Sequence, residues 1–272
     1  MAIQTILVTG GAGYLGSTLV PELLELGHNV TVVDNFIYKQ SSLNHVCHKS
    51  NFKVVKGDVR IESVMKPLMK DADVIIPLAA LVGAPICNQD PVGATTINHD
   101  SIIMLLKLIS KNQLILMPTT NSAYGSGDKN NFCTEESPLS PISRYAIDKV
   151  EIEKSLMQHP NAISFRLATV FGMSPRMRID LLVNDFTYRA VYDGFVVLFE
   201  SHFKRNFIHI RDVCDVFKFS IDNISSKYNC LHNFFLLSVS LFKNFVLYKV
   251  SFKKRFSKLL IKISKLVKIF SK

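Results

Sequence analysis

The chain has 272 residues, of which 48% are hydrophobic and 20% are charged, and it contains no tryptophan. This length and composition exclude a disordered, collagen-like or coiled-coil protein, and they allow one large domain with a hydrophobic core. The 32 basic and 22 acidic residues give a formal net charge of +10. Residues 223–272 hold 11 of the basic residues and no acidic one, so residues 1–222 carry 21 positive and 22 negative charges, a net of −1. The body of the chain is therefore neutral, and we expect no nucleic-acid partner.

The cysteines and the first residues of the chain indicate a cellular compartment. The five cysteines are dispersed and form no Cys-x-x-Cys pair, a pattern typical of reducing conditions. The first basic residue is Lys39, so we expect no secretory signal and a cytoplasmic location. His45, Cys47 and His48 have no second ligand pair at a suitable distance. We therefore expect a solvated loop there and no metal site.

Six short apolar runs along the chain are typical of strands that are buried on both faces. They lie at residues 3–9, 30–33, 54–55, 74–78, 114–118 and 162–165. Apolar residues at helical spacing separate them, at 15–24, 102–109 and 150–156. This alternation predicts an α/β protein with a Rossmann-like, doubly wound parallel sheet and helices on both faces.

A glycine-rich turn follows the first predicted strand. Gly10, Gly13 and Gly16 lie three residues apart, and Gly11 also satisfies G-x-G-x-x-G with the last two. Such glycines let the chain turn sharply, bring its backbone against a pyrophosphate, and pack the next helix closely on the sheet. Asp34 ends the second strand 18 residues after Gly16, where a carboxylate can bind the ribose hydroxyls of adenosine and would repel a 2′-phosphate. The pattern predicts an NAD site, with a structural glycine turn and a capping aspartate as the alternative.

A tyrosine and a lysine four residues apart are candidates for proton transfer. Tyr145 and Lys149 are expected on one face of a helix. A phenol with a reference pKa near 10 is a poor base at neutral pH, but a nearby lysine and a positive nicotinamide ring would favour its phenolate. The same spacing is also typical of a solvated helix face, so the pair gains weight only from the other motifs.

In their order along the chain, these motifs resemble the extended short-chain dehydrogenase/reductases, and most closely their NAD-dependent nucleotide-sugar epimerases and dehydratases. The resemblance covers about residues 3–222. It is carried by T-G-G-A-G-Y-L-G from Thr9, the strand ends at Asp34 and Asp58, Leu78-Ala79-Ala80, Asn98, T-T-N-S-A-Y-G from Thr119, and the pair Tyr145 and Lys149.

The resemblance implies a role for each matching residue. Tyr145 is the acid and base, Lys149 binds the cofactor ribose and lowers the pKa of the phenol, and Thr120 hydrogen-bonds the reacting sugar oxygen. The implied cofactor-binding residues are Gly10, Gly13, Tyr14, Leu15, Gly16, Asp34, Asn35, Asp58, Val59, Leu78, Ala80, Asn98 and Lys149. The implied substrate-binding residues are Thr120, Asn121, Thr169, Asn184 and Arg205. The guanidinium of Arg205 would suit the diphosphate of a nucleotide sugar. For Asp58 a helix-capping role is equally compatible with the sequence. The family also implies a homodimer that packs the helix at 102–109 and the helix from Tyr145.

Two departures from the family pattern bear on the reaction. Asn121-Ser122 stands where family members that eliminate water carry Asp-Glu, so elimination would lack its acid. We therefore expect NAD-dependent epimerisation of a nucleotide sugar by transient oxidation at one carbon, with a dehydratase or a 4-keto reductase as alternatives. Pro77 replaces a common histidine, which alters a supporting contact.

The end of the chain departs from the family altogether. We predict an NAD-binding domain at 1–170, a partial substrate-binding region at 171–228, and an atypical basic tail rich in Phe, Lys and Leu at 229–272, in place of the usual C-terminal lobe. The tail is explained by a frameshift or truncated gene, by an amphipathic helix on an anionic membrane surface, or by a membrane span at 234–252. Lys243 opposes the span, because a lysine at mid-bilayer costs about 2.5 to 3.5 kcal/mol. A truncated NAD-binding remnant with little activity is thus a further alternative.

Overall fold

The computed structural model describes residues 2–125, 133–198 and 206–223. The predictions for the tail at 229–272 and for Arg205 lie outside these residues. Within the described ranges, no helix is long and apolar enough to cross a membrane.

The core of the protein is a parallel sheet of six strands. These are β1 (Thr5–Thr9), β2 (Asn29–Asp34), β3 (Phe52–Lys56), β4 (Val74–Pro77), β5 (Leu114–Thr120) and β6 (Ala162–Leu167). Their order across the sheet is β3-β2-β1-β4-β5-β6, and Thr9 at the end of β1 pairs with Val33 on one side and Pro77 on the other. The strand order reverses between β1 and β4, which places a ligand crevice at the carboxyl ends of these strands. The predicted doubly wound fold is confirmed, and each of the six apolar runs forms one strand. The expected burial on both faces is wrong for β3, because it is an edge strand and Val54 is 43% exposed.

Helices cover both faces of the sheet. They are α1 (Gly16–Glu25), α2 (Glu62–Lys70), α3 (Ala84–Gln89), α4 (Pro91–Ala94), α5 (Ser101–Leu108), α6 (Arg144–Leu156), α7 (Leu182–Tyr192) and α8 (Ile210–Asp222). A π-helical turn (Thr95–Asp100) joins α4 to α5, and 3-10 turns cover Asn44–Val46 and Asn121–Tyr124. Two further strands, β7 (Thr169–Phe171) and β8 (Phe207–His209), form a separate parallel pair.

Alternate side chains of β1 enter two different cores. Ile6 and Val8 pack in the cluster formed with α1 and α8, whereas Leu7 packs in the cluster formed with α2, α5 and α6. Successive strand side chains point to opposite faces, so a strand that is covered on both faces must be apolar throughout. Phe217 of α8 is fully buried and its ring centroid lies 5.0 Å from that of Phe165. The two cores hold the sheet in place from both faces, and the site is built at the carboxyl ends of its strands.

We expect stability to fall on mild acidification because of one buried histidine. The Nδ1 atom of His28 accepts a hydrogen bond from the Gln4 backbone N–H at 3.2 Å, and its Nε2 atom is buried with no hydrogen-bond partner. Burial lowers the pKa of His28 below its usual 6.5, although the Asp222 carboxylate opposes this. As the pH falls through 6.5, His28 therefore becomes protonated in the unfolded chain while it stays neutral in the folded chain. The free energy of unfolding then falls by at most about 1.4 kcal/mol per pH unit.

Urea unfolding at pH 7.5 and 5.5 measures this effect. His28→Gln retains a polar side chain but cannot titrate, and we expect it to lose less stability between these two pH values than the unaltered protein. Equal losses in the two proteins would show that other groups cause the acid sensitivity.

Candidate active site

The glycine-rich turn leaves β1 and approaches the next strand of the sheet closely. Gly10 has a φ of +65°, and a Cβ atom there would lie 2.6 Å from the backbone of Ala79. Only glycine tolerates both conditions. At Gly13, by contrast, a Cβ atom would meet nothing within 4 Å except the Gly10 carbonyl oxygen at 3.0 Å. The outer side of the turn is therefore open, at the N-terminus of α1, where backbone N–H groups favour a phosphate.

Asp34 joins the end of β2 to this turn. Its side chain is 6% exposed, and Oδ2 accepts a hydrogen bond from the Ala12 N–H at 3.0 Å while Oδ1 accepts one from the Phe36 N–H at 2.8 Å. A carboxylate has about four lone-pair directions. The Gln40 side-chain amide donates a third hydrogen bond, to Oδ1 at 3.4 Å, so Asp34 can hold the turn and still accept a hydrogen bond from a ribose hydroxyl. The open glycine turn and this carboxylate together fit a dinucleotide.

Three of the predicted cofactor-binding residues, Asn35, Asp58 and Val59, have other partners in the structure. Asp58, two residues after β3, forms a two-point ion pair with Arg60, with Nε 2.9 Å from Oδ1 and Nη2 2.5 Å from Oδ2. The Arg60 guanidinium lowers the pKa of Asp58. Val59 is partly buried against α2 and α5, and the Asn35 side chain accepts a hydrogen bond from the Ile37 N–H at 3.1 Å. Any contact of Asp58 with a ligand must therefore share the carboxylate with Arg60.

Asn98 acts on the loop after β4. It lies in the π-helical turn, is 1% exposed, and exchanges two hydrogen bonds of 2.8 Å with the backbone of Leu81. At the start of the same loop, the Leu78 and Ala79 N–H groups donate to the backbone oxygen and hydroxyl of Thr9. Asn98 therefore positions the loop that contains Leu78 and Ala80, and both ends of its buried amide are bound to Leu81.

The structure brings the three predicted catalytic residues to the same edge of the sheet. Thr120 ends β5, is 7% exposed, and accepts a hydrogen bond from the Ser122 N–H at 3.1 Å. Tyr145 lies in the first turn of α6, which Ser143 caps through the Ala146 N–H. Lys149 is 4% exposed, and its Nζ lies 3.4 Å from the Pro118 carbonyl oxygen and 6.0 Å from the Tyr145 ring centroid. Among the described residues, no hydrogen-bond partner occupies the Tyr145 hydroxyl.

Burial shifts both ionisable groups of this pair. It raises the pKa of Tyr145 to about 12 and lowers the pKa of Lys149 to about 8. The phenol is therefore protonated at neutral pH in the chain alone, because desolvation, to which the Cys87 thiol adds, outweighs the effect of the Arg178 guanidinium. Lys149 was expected to lower the pKa of the Tyr145 phenol, but in the chain alone that pKa is raised. A further positive charge near Tyr145 would be required.

The predicted substrate residues are placed differently from one another. Asn121 opens a 3-10 turn and is partly exposed, and Thr169 opens β7. Asn184 lies in the first turn of α7 and is 7% exposed. Its amide donates to the Tyr14 hydroxyl at 3.3 Å and accepts from the Gly172 N–H at 2.9 Å. Asn184 thus connects the glycine-rich turn to the segment that follows β7.

A buried ion pair behind the site has no motif in the linear sequence. Glu153 follows Lys149 by one helical turn, and its Oε1 lies 3.0 Å from Nε and 2.5 Å from Nη2 of Arg166 on β6. Thr119 and Ser164 both donate hydrogen bonds to Oε2 of the same carboxylate, at 3.1 and 2.8 Å. Arg166 also donates to the Tyr124 hydroxyl at 2.8 Å. The pair therefore ties α6 to β5, β6 and the turn after Thr120. Spacing from Lys149 is the only signal in the sequence that could have indicated Glu153.

The profile of the NAD dependent epimerase/dehydratase family matches residues 6–230. UDP-glucuronic acid decarboxylase 1 of Danio rerio is 26% identical over 239 residues, which is 83% of this chain and 56% of that protein. UDP-glucose 4-epimerase of Corynebacterium glutamicum is 29% identical over 170 residues, 60% of this chain and 48% of that protein. The chain thus spans about half the length of the curated relatives it matches.

Solved structures show the same fold. UDP-glucuronic acid 4-epimerase from Bacillus cereus, in complex with UDP-glucuronic acid and NAD, has a TM-score of 0.71 and 25% identity, covering 83% of this chain and 74% of that one. dTDP-glucose 4,6-dehydratase from Bacillus anthracis, in complex with NAD, has a TM-score of 0.69 and 24% identity, covering 83% and 72%. These relatives and neighbours are epimerases, dehydratases and decarboxylases that act on nucleotide sugars, and the neighbours bind NAD. With most of its length matched by the family profile, this chain belongs to the NAD dependent epimerase/dehydratase family.

Proposed function

We propose that the protein is an NAD-dependent epimerase of a nucleotide sugar, working by transient oxidation at one sugar carbon. One observation carries the proposal: Tyr145, Lys149 and Thr120 meet at the sheet edge where the open glycine turn also lies. The Tyr145 hydroxyl is without a hydrogen-bond partner among the described residues, which leaves it available to a substrate. Family membership supports the same chemistry.

The cofactor proposal rests on the turn and on Asp34. The open side of Gly13 and the N-terminus of α1 would hold the pyrophosphate, and Asp34 would hold the adenosine ribose. The Asp34 carboxylate would also repel a 2′-phosphate, which favours NAD over NADP. When bound, NAD supplies a hydride acceptor, and its positively charged ring supplies the charge that the Tyr145 phenol lacks in the chain alone.

Each catalytic side chain then has a distinct task. Tyr145 removes the proton from a sugar hydroxyl and later returns it. Thr120, whose own hydroxyl hydrogen meets no acceptor among the described residues, donates a hydrogen bond to the same sugar oxygen. Lys149 holds the cofactor ribose and keeps a positive charge close to the phenol. Asn121, Thr169 and Arg205 remain candidates for binding the nucleotide sugar. Asn184 would have to exchange one of its bonds to Tyr14, Gly172 or Arg178 to do so.

The residues after Thr120 favour epimerisation over elimination. Loss of water from a sugar needs an acid and a base beside the reacting carbon. Asn121 has an amide that cannot give up a proton at neutral pH, and Ser122 is an exposed hydroxyl. Dehydration and 4-keto reduction are therefore the second candidates, and a remnant that binds NAD without turnover is the third.

Purified full-length protein supplied with NAD and a panel of UDP- and dTDP-hexoses tests the proposal. Product analysis by NMR is expected to show an epimer of one sugar with no net consumption of NAD. A 4-keto-6-deoxy product would assign a dehydratase instead. Retention of NAD without any product would support the remnant.

Two further predictions from the sequence concern the protein in the cell. A homodimer through α5 and α6 and a cytoplasmic location both stay predictions, and sedimentation measures the first of them.

A further inference from the structure

The segment that follows β7 lies against the glycine-rich turn. We call residues 172–178 the strap. The Tyr14 hydroxyl donates a hydrogen bond to the Gly172 carbonyl oxygen at 2.7 Å, and the Ser174 hydroxyl donates to the Tyr14 carbonyl oxygen at 2.6 Å. Ser17 and Ser174 share a hydrogen bond of 2.9 Å, and the Arg176 N–H donates to the Ser17 hydroxyl at 3.2 Å. The strap is therefore fixed on the turn and on the first turn of α1.

The backbone of the strap is fixed at its start by a glycine. Gly172 has a φ of +122°, and a Cβ atom there would lie 2.6 Å from Nε2 of His209. No other residue type fits that position without strain. The Asn184 side chain accepts a hydrogen bond from the Gly172 N–H and donates one to the Arg178 carbonyl oxygen at 2.9 Å. The position of the strap is thus set by its anchors on Tyr14 and Asn184.

The far end of the strap reaches the segment after β2. The guanidinium carbon of Arg176 lies 4.4 Å from the ring centroid of Tyr38. Tyr38 follows Asp34 by four residues and is 50% exposed. This cation–π contact joins the strap to the chain beside the carboxylate that would hold the adenosine ribose. The contact and the Tyr14 anchor together link both flanks of the glycine-rich turn.

The proposed reaction requires that the cofactor stay bound through each cycle. The hydride taken from the sugar must return to the same sugar, because loss of the reduced cofactor would leave an oxidised sugar and consume NAD⁺. Contacts that must break before the cofactor leaves slow its release without affecting the chemistry.

We propose that Tyr38 and Arg176 form a retaining bridge, which closes the strap beside the adenosine end of the cofactor site and slows cofactor release. Neither residue belongs to the motifs that assign the NAD site. This inference rests on the proposed function, because it assumes that the site takes NAD.

Release of NADH from the full-length protein tests the bridge. The protein is loaded with NADH and mixed with excess NAD⁺, and the fall in bound-NADH fluorescence gives the release rate. Arg176→Gln and Tyr38→Leu are each expected to raise this rate about fivefold, as for the loss of an exposed cation–π contact of about 1 kcal/mol. The double variant is expected to release NADH no faster than either single variant, since both break the same contact.

Two matched variants provide the controls. Tyr38→Phe keeps the aromatic ring and is expected to retain slow release. Arg189→Gln removes an arginine of α7 that forms ion pairs with Asp185 in the same helix and with Asp193 directly after it, and it is expected to leave release unchanged. Unchanged release in both single variants, or additive effects in the double variant, would overturn the bridge while leaving the proposed function intact. Failure of the unaltered protein to bind NADH would instead refute both.

Discussion

Tyr145→Phe is expected to lower turnover of the nucleotide sugar by about a thousandfold, within the range typical of a lost general acid–base group. The substitution removes only the hydroxyl that would take the sugar proton. The ring, which packs against Leu81, Cys87 and Ala94, is kept. We therefore expect NAD binding and the free energy of unfolding to stay close to those of the unaltered protein. Steady-state turnover and NADH binding measure the two effects separately.

A second variant separates proton transfer from folding. Tyr188→Phe removes a hydroxyl from the exposed stacked pair of Tyr188 and Tyr192 on α7, and we expect it to leave turnover unchanged. Turnover of Tyr145→Phe within tenfold of the unaltered protein would remove Tyr145 from the role of acid and base. The nearby positions of Tyr145 and Lys149 would then reflect only the packing of α6.

The other large effect concerns stability. Glu153→Leu is expected to lower the free energy of unfolding by about 3 to 5 kcal/mol, the usual cost of breaking a buried ion pair on one side. The side chains of Glu153 and Arg166 are only 8% and 11% exposed, so the guanidinium cannot exchange its carboxylate for water. Turnover should fall as well, because the pair holds Thr119, next to Thr120, and Tyr124 in place. Urea unfolding with global fitting measures the stability change.

The double variant Glu153→Leu with Arg166→Met distinguishes the buried charge from lost packing. Replacing both partners removes the buried guanidinium together with the carboxylate, and the hydroxyls of Thr119 and Ser164, whose oxygens lie 3.0 Å apart, become free to hydrogen-bond each other. We expect the double variant to regain a large part of the lost stability. Equal stability of the single and double variants would show that the loss comes from packing and not from the separation of the guanidinium from its carboxylate. The exposed pair of Arg189 and Asp185 provides a control whose removal should not measurably change stability.

Local features of the sequence were enough to predict the strands and the turn at the sheet edge. A strand covered on both faces must be apolar throughout, so Ile6, Leu7 and Val8 identify β1 without any knowledge of their neighbours. The glycine spacing is equally local, because the chain must turn within a few residues. For the same reason, helical spacing alone placed Tyr145 and Lys149 on one face of α6.

Tertiary structure decided how those side chains are used. The pairing of Asp58 with Arg60 is local, but whether Asn98 contacts a ligand or a loop depends on Leu81, 17 residues away. The contacts of Glu153 with Arg166 and of Tyr38 with Arg176 join separate elements, so no periodicity could reveal them. The raised pKa of Tyr145 has the same origin, since burial depends on everything packed around the ring. The sequence by itself thus determined which side chains reach the sheet edge. The tertiary structure decided their hydrogen-bond partners and their protonation states, because these depend on contacts between residues far apart in the chain.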